Sequence, residues 1–533
     1  MDPVNWLLDA IERGNPHTAL LRSRSLGGWT SGNAVTPLVH GATYFAELLR
    51  CVEAMRAGDL LLFTDWRGDP DQRLDGPGTE VATVFRRAAA RGVDVRGLVW
   101  RSHLDRFAFS EQENRHLGEE LEAAGGEVLR DMRVRPGGSH HQKVVVLRHR
   151  DRPELDVAFA GGIDLCHSRR DDARHHGDPQ SQSMSARYGP TPPWHDVQLA
   201  VRGPAVADIE TSFRERWDDP TPLTLNPYYR VVDAVRREDE HGRPLPAQLP
   251  DPPEQGAQAV QILRTYPARR PAYPFAPEGE RSVARAYEKV ARNAAGLVYV
   301  EDQYLWSREI VRCLTDALAR TPTLRLIAVV PHYPDQDGRI SGPPNVVGRH
   351  QAMQLLDPYL KAGRAAVYGV ENHAGTPVYV HAKVCVVDDV WASVGSDNLN
   401  RRSWTHDSEL TCAVLDDELD EREPRTVDRF GSGARRFARE LRLQLAREHL
   451  DRPDGGDADL IDPVEAFEAF AASAAELQRW HDGGRRGPRP PGRLRPYQPP
   501  HLSRLTLLWA TPMYRVVYDP DGRPRSLRGS GRF

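Results

Sequence analysis

Three observations on the 533-residue sequence predict a two-lobed α/β fold in which one architecture is used twice. Helix-period segments alternate with short apolar runs from residue 36 to residue 450, the pattern of sheets covered by helices. The order of those segments in the first part recurs in the second. Between the copies, 220–277 is polar and proline-rich (Arg243-Pro-Leu-Pro, Leu249-Pro-Asp-Pro-Pro), which reads as a linker. The expected fold is two similar halves, each a mixed, mostly parallel β-sheet flanked by helices. They pack as a pseudo-two-fold pair with the active site between them. The expected boundaries are 1–35 for an N-terminal extension, 36–219 and 278–450 for the halves, and 451–533 for a C-terminal extension.

In the first half, 42–57 has the spacing of an amphipathic helix and 59–66 that of a buried strand. Helix 79–91, strand 93–100 and helix 111–124 follow, the last ended by Gly125-Gly126. Strands are expected at 141–147, 157–161 and 195–201, and a closing helix at 205–217. The second half repeats this with helix 282–294, strand 296–304, helix 308–320 and strand 324–331. Helix 346–362, strands 365–370, 378–387, 391–395 and 408–415, and a long helix at 428–449 complete it.

Composition narrows the class of protein. A formal net charge of −4 provides no global positive field for nucleic acid or anionic membrane, so nucleic acid is a disfavoured partner. Apolar runs such as 59–63 and 505–510 are too short to span a bilayer, and no secretory signal is visible at the start. Cys51, Cys166, Cys313, Cys385 and Cys412 are scattered with no metal-type spacing, which fits a reduced, cytoplasmic protein whose cysteines serve as small hydrophobes.

Only Lys143, Lys289, Lys361 and Lys383 supply ammonium groups, and two of these four follow a histidine by two places: His141-Gln-Lys143 and His381-Ala-Lys383. Residues i and i+2 of a strand share a face. An imidazole beside a compact ammonium suits attack on an anionic phosphorus, the first as nucleophile or proton donor and the second as a clamp on non-bridging oxygens. Two such pairs on facing halves allow one histidine to be neutral while the other is protonated. His140 is expected on the opposite face as a packed or solvent-facing neighbour. The His167, His175 and His176 group lies in an Asp/Arg/Gly-rich stretch and reads as a solvated loop, not a metal site. Trp66, Trp194, Trp306 and Trp404 flank the motifs, as core or as lining of a headgroup pocket.

The run His381-Ala-Lys383-Val-Cys-Val-Val-Asp388, with Gly395-Ser396-Asp-Asn398 after six further residues, resembles the phospholipase D signature H-x-K-x4-D-x6-G-S-x-N. Val300-Glu-Asp-Gln-Tyr304 is similar to a strand of the same superfamily. Gly161-Gly-Ile-Asp164, Trp194-His-Asp196 and Gly203-Pro-Ala-Val206 resemble its plant and eukaryotic type. The resemblance implies a covalent two-step reaction through a phosphohistidine, with His141 by analogy the nucleophile and His381 the acid and base. Lys143, Lys383, Ser396, Asn398 and Asp164 would contact the phosphate, and Glu409 and Asp196 would orient the imidazoles. Asp388 belongs to the signature and so stands with His141, Lys143, His381 and Lys383 in the catalytic set the resemblance implies, its expected task being to brace its strand end by backbone hydrogen bonds. Two departures stand out: Arg148 occupies the place of Asp388 in the first half, and Asp164 the place of Asn398. The hairpin carrying Arg148 reads as a solvated turn.

The implied activity is hydrolysis or transphosphatidylation of a phospholipid headgroup by a peripheral protein with no transmembrane anchor, cofactor or metal. Calcium dependence of the plant type is not expected, because no calcium-binding β-sandwich precedes the first half. The same fold also accommodates a cardiolipin synthase-like phosphatidyltransferase, a nuclease, or an inactive phosphoryl-binding module.

Overall fold

The computed structural model of the protein describes residues 3–21, 27–102, 111–236, 241–336, 338, 342–528, 530 and 533. The first half holds β1 (Trp29–Val39), β2 (Leu60–Asp65), β3 (Asp94–Trp100), β4 (Glu127–Asp131), β5 (Val144–Arg148), β6 (Val157–Gly161), β7 (Trp194–His195) and β8 (Val197–Arg202). Strands β2, β3 and β4 run parallel, whereas β5, β6, β8 and β1 follow β2 in antiparallel steps. The second half holds β9 (Gln258–Tyr266), β10 (Glu280–Arg281), β11 (Leu297–Asp302), β12 (Arg325–Val329), β13 (Ala365–Glu371) and β14 (Pro377–Val380). It continues with β15 (Lys383–Val387), β16 (Trp391–Gly395), β17 (Glu409–Asp416) and β18 (Leu494–Pro496). Here β11, β12 and β13 are parallel, and β15, β16, β17 and β9 follow β11 antiparallel.

The repeat therefore holds for seven strands of each half, β1–β6 and β8 answering β9, β11–β13 and β15–β17, and both sheets are mixed. Their parallel part is confined to three strands each. The chain re-enters beside β2 or β11 on the His-x-Lys segment, running the opposite way, and then turns back through 149–156 in the first half and a tight turn at 388–390 in the second.

Strand β1 joins the two sheets, pairing Trp29–Asn33 with β9 and Ala34–Val39 with β8. Strand β9 corrects the expected linker, since it lies within 220–277 yet is buried along its length and pairs with β17 from Gln258 to Tyr266's neighbour Thr265. Its polar residues hide it in the sequence, but Gln261 and Arg264 find partners inside the fold. Gln261 bonds the Leu8 backbone, and Arg264 pairs with Glu280 at 2.7 Å and Glu215 at 2.6 Å. The two expected extensions are likewise woven into the body. Trp6, Leu7 and Leu8 enter the outer core of the second half, and β18 adds antiparallel to β13.

The sheets face one another across a shared core of Leu62, Val146, Leu199, Val386, Val394 and Cys412, with helices Ala205–Trp217 and Arg436–His449 contributing Phe213 and Leu441. Burying each large aliphatic side chain contributes roughly 1.5–3 kcal/mol. Helices Gly41–Glu53 and Val81–Ala90 cover the outer face of the first sheet, and Ser282–Asn293 and Arg308–Arg320 that of the second. All five cysteines are free, with Cys313 half-buried and the rest buried. No helix among the described residues is long and apolar enough to cross a membrane.

Candidate active site

The two His-x-Lys segments meet the opposite half before they enter their own sheets. His140 bridges Ser408 in parallel register, and β14 pairs with β7 in parallel, Tyr379 opposite Trp194 and Val380 opposite His195. The next residue on each side completes a cross-half pair. His141 Nδ1 lies 2.9 Å from Glu409 Oε2, and His381 Nδ1 lies 2.7 Å from Asp196 Oδ2. Each histidine is thus oriented by the carboxylate of the other half. The backbone fixes this register: His141 N–H donates to the Ser408 carbonyl at 2.9 Å and His381 N–H to the His195 carbonyl at 2.8 Å. A carboxylate on Nδ1 holds that nitrogen protonated and leaves Nε2 for chemistry.

The lysines are held differently. Lys143 Nζ donates to the His141 carbonyl at 2.9 Å and pairs with Asp164 Oδ1 at 3.4 Å. Lys383 Nζ donates to the His381 carbonyl and reaches Gln303 Oε1 at 3.4 Å. Ser396 Oγ donates to Glu409 Oε2 at 2.6 Å, so it supports the carboxylate. Asn398 is buried, and its Oδ1 has no hydrogen-bond partner among the described residues. Asp164, its counterpart, is flanked by Lys143 and by Arg169 at 3.6 Å. Burial opposes the Asp164 charge, but the two cations outweigh it and hold the carboxyl below its ordinary range.

Burial first, and then the Lys143 and Lys383 ammoniums, hold the His141 imidazole well below its ordinary pKa. The same applies to His381, through burial, Lys383 and Arg169. Burial pushes Glu409 and Asp196 up. Burial also lowers the Lys383 ammonium to about 8, with Lys143 adding to the effect. Lysines of both halves thus act on the His141 imidazole. In this state both rings are neutral, and an anionic substrate that offsets the ammoniums would raise the pKa of whichever ring must carry a proton.

Asp388 lies at the far end of β15 from His381. Its oxygens accept the N–H groups of Ala295, Gly296 and Leu297 at 2.8, 2.7 and 2.9 Å, and burial raises it to about 7. It braces the strand and takes no place among the reacting groups, which removes it from the catalytic set. Arg148 is not in a solvated turn. It is fully buried, donating to Asp156 at 2.8 Å, to Glu210 and to the Pro250 carbonyl at 2.6 Å. His140 is buried and bonds Gln142. His167 and His176 stay near the surface, but His175 is buried beside Glu448, so the solvated-loop reading fails at that residue. Trp194 packs on the His381 ring at 4.9 Å and Trp66 approaches His141 at 6.4 Å, while Trp306 and Trp404 are core.

Sequence reasoning missed Arg169, Asp65 and Asp302. The Arg169 guanidinium lies 3.9 Å over the Trp194 ring, beside Asp164. Asp65 and Asp302 end β2 and β11 and receive the N–H of Leu165 and Leu399, each at 2.8 Å, fixing the loops that carry Asp164 and Asn398. Their equivalent positions at two strand ends were a readable signal.

The two imidazole–lysine pairs, each braced by a carboxylate of the opposite half, form one composite site, and the chain is similar to proteins of one superfamily. The family model described as Phospholipase D matches residues 72–310, and that described as "Cardiolipin synthase, PLD-like domain" matches 291–425. Similar curated proteins include phospholipase D alpha 1 of Ricinus communis, 24% identical over 72% of this chain and 60% of that protein. Another is phospholipase D alpha 1 of Arabidopsis thaliana, 23% identical over 78% of this chain and 65% of that protein. Among solved structures, the phosphatidylserine synthase of Haemophilus influenzae matches with a TM-score of 0.47 at 14% identity, over 72% of this chain and 82% of that one. This chain belongs to the phospholipase D superfamily. It spans 56% to 65% of the length of the plant enzymes it matches.

Proposed function

We propose that the protein is a phospholipase D-type phosphodiesterase that cleaves a phospholipid headgroup through a phosphohistidine. The observation that carries this reading is the crossed bracing, His141 by Glu409 and His381 by Asp196, with Lys143 and Lys383 beside the two rings. His141 is the less buried ring, its side chain 16% exposed against 6% for His381, which favours it as nucleophile. Its Nε2 attacks phosphorus, the bond from phosphorus to the headgroup oxygen breaks, and that oxygen takes the proton of His381 Nε2–H. Water or an alcohol then gives its proton to His381 and attacks phosphorus, and the phosphorus–nitrogen bond breaks to restore His141. The lysines and Asn398 hold the non-bridging oxygens, and Glu409 and Asp196 stabilise the charged rings.

The match of 291–425 to a cardiolipin synthase-type domain favours a second reading, in which the second step uses an alcohol. One experiment tests both. Phosphatidylcholine vesicles are incubated with the protein and a primary alcohol. Phosphatidate alone indicates hydrolysis, and phosphatidyl-alcohol indicates transfer through a covalent intermediate. Neither product from phosphatidylcholine, phosphatidylethanolamine or phosphatidylglycerol would overturn the lipid reading.

A further inference from the structure

Directly behind Asp196 lies a compact group that the phosphodiesterase chemistry does not use. His195 is fully buried, and its neighbours are His40, at the end of β1, His175, and Glu448 on helix Arg436–His449. One ligand atom from each of the four lies within 4.8 Å of every other. Around the Glu448 carboxylate, His40 Nε2 stands at 2.7 Å, His175 Nε2 at 3.1 Å and His195 Nδ1 at 3.5 Å. The three rings are 5.0 to 5.6 Å apart between centroids and inclined to one another by 67° to 90°. Three imidazole nitrogens and a carboxylate therefore converge on one point from well-separated directions.

The outward nitrogens supply the second observation. A metal-bound histidine ordinarily gives its other ring nitrogen to a carboxylate. His195 Nε2 lies 2.6 Å from Glu301 Oε2, and His175 Nδ1 lies 3.5 Å from Asp171 Oδ2. Glu301 is itself fixed by the Tyr299 hydroxyl at 2.5 Å and His449 Nε2 at 2.7 Å. The inward His195 Nδ1 is buried and makes no hydrogen bond. His40 and His175 hold left-handed φ values of 70° and 57°, a conformation that costs a non-glycine residue energy.

We propose that His40 Nε2, His175 Nε2, His195 Nδ1 and the Glu448 carboxylate bind one structural Zn²⁺ ion. A closed, four-coordinate set of imidazole and carboxylate ligands suits zinc, and its burial among protein groups leaves no position for substrate. The ion would pin β1, the loop carrying His175, β7 and helix Arg436–His449 together. It would thereby fix the His195 carbonyl that receives the N–H of His381. The proposal is independent of the proposed lipid chemistry, and its readouts are metal content and stability.

The full chain, prepared without a histidine tag, is dialysed and its metal content measured by mass spectrometry. The expected result is one zinc per chain in wild type and less than a tenth of that in His175→Ala, with His176→Ala retaining one. Should His175→Ala fail to fold, wild type grown with cobalt should carry one Co²⁺ and show the visible bands of a tetrahedral site. Prolonged chelation should lower the Tm, and zinc should restore it. Wild type with no stoichiometric metal and a Tm unaffected by chelator or zinc would overturn the proposal, leaving a proton-held cluster. Equal zinc in wild type and in His175→Ala would overturn it as well.

Discussion

The two half-sites match at the front and diverge behind. In front, each has a histidine, a lysine and a carboxylate received from across the interface. Behind Glu409 stands a fixed-charge support: Arg216 donates to Ser408 Oγ at 2.8 Å and to Asp131 at 2.6 Å, with Arg133 on the other Asp131 oxygen. Burial opposes the Asp131 charge, but Arg133 and Arg216 hold it well below the usual carboxylate range, so this block stays ionised at working pH. Behind Asp196 the corresponding space holds imidazoles and two glutamates. The symmetry therefore resides in backbone register, which admits only one crossing, while the supporting side chains were free to differ. The two lysines differ too. Lys143 is tied to Asp164, whereas Lys383 faces an uncharged amide and pairs with no carboxylate among the described residues.

The largest test of equivalence is removal of one ring at a time. His141→Ala and His381→Ala should each lower kcat by about 10⁴-fold or more, and the double variant should be scarcely worse. Activity within tenfold of wild type in either single variant would break the comparison. Next come the crossed carboxylates. Glu409→Gln and Asp196→Asn should each lower kcat by about 100-fold or more with little change in fold, read by steady-state kinetics alongside circular dichroism. A large loss in only one would show that one half alone needs its brace.

The positions of Arg148 and Asp388 are equivalent in the two sheets, opposite Leu60 and beside Leu297. Arg148→Asp adds a carboxylate beside buried Asp156, which loses its guanidinium partner, and beside Glu210, which keeps Arg214, and should destabilise by about 3–5 kcal/mol in a denaturant titration. An unchanged midpoint would contradict the buried network. Asp388→Asn should cost less, about 1–3 kcal/mol, since one of three backbone bonds is lost, and kcat/KM per folded molecule should hold.

The smallest effect is on pH. Lys383 must be an ammonium to clamp phosphate, so kcat/KM should fall as pH rises through about 8, up to tenfold per unit. His141 must be neutral, and since its pKa lies well below the ordinary value, activity should persist on the acid side of 6.5. The His381 proton is also required and burial depresses its pKa, so kcat/KM already declines with rising pH below 8, and Lys383→Arg should lower the rate and remove only the added steepness above about 8. If that steepness survives the substitution, another group is responsible.

Much of this was legible in the sequence because the chemistry sits at short, fixed spacings. The His-x-Lys pairs, the Gly395–Asn398 loop and the order of elements are local patterns. The crossing of Glu409 to His141 was not, since it depends on a parallel bridge between segments far apart in the chain. Strand β1 begins inside the expected N-terminal extension, its pattern interrupted by Gly32, Asn33 and Pro37, and β9 is masked by its own polar residues. Arg148 sits in a run of charges that looks solvated, and its partners Asp156, Glu210 and Pro250 reveal themselves only on folding. The burial of His175 likewise depends on Glu448, a helix of the other half.

On the proposed mechanism each half lends its acid to the other's histidine, so neither half turns over by itself. A chain cut between the halves should yield two pieces that are inert apart and regain function when mixed.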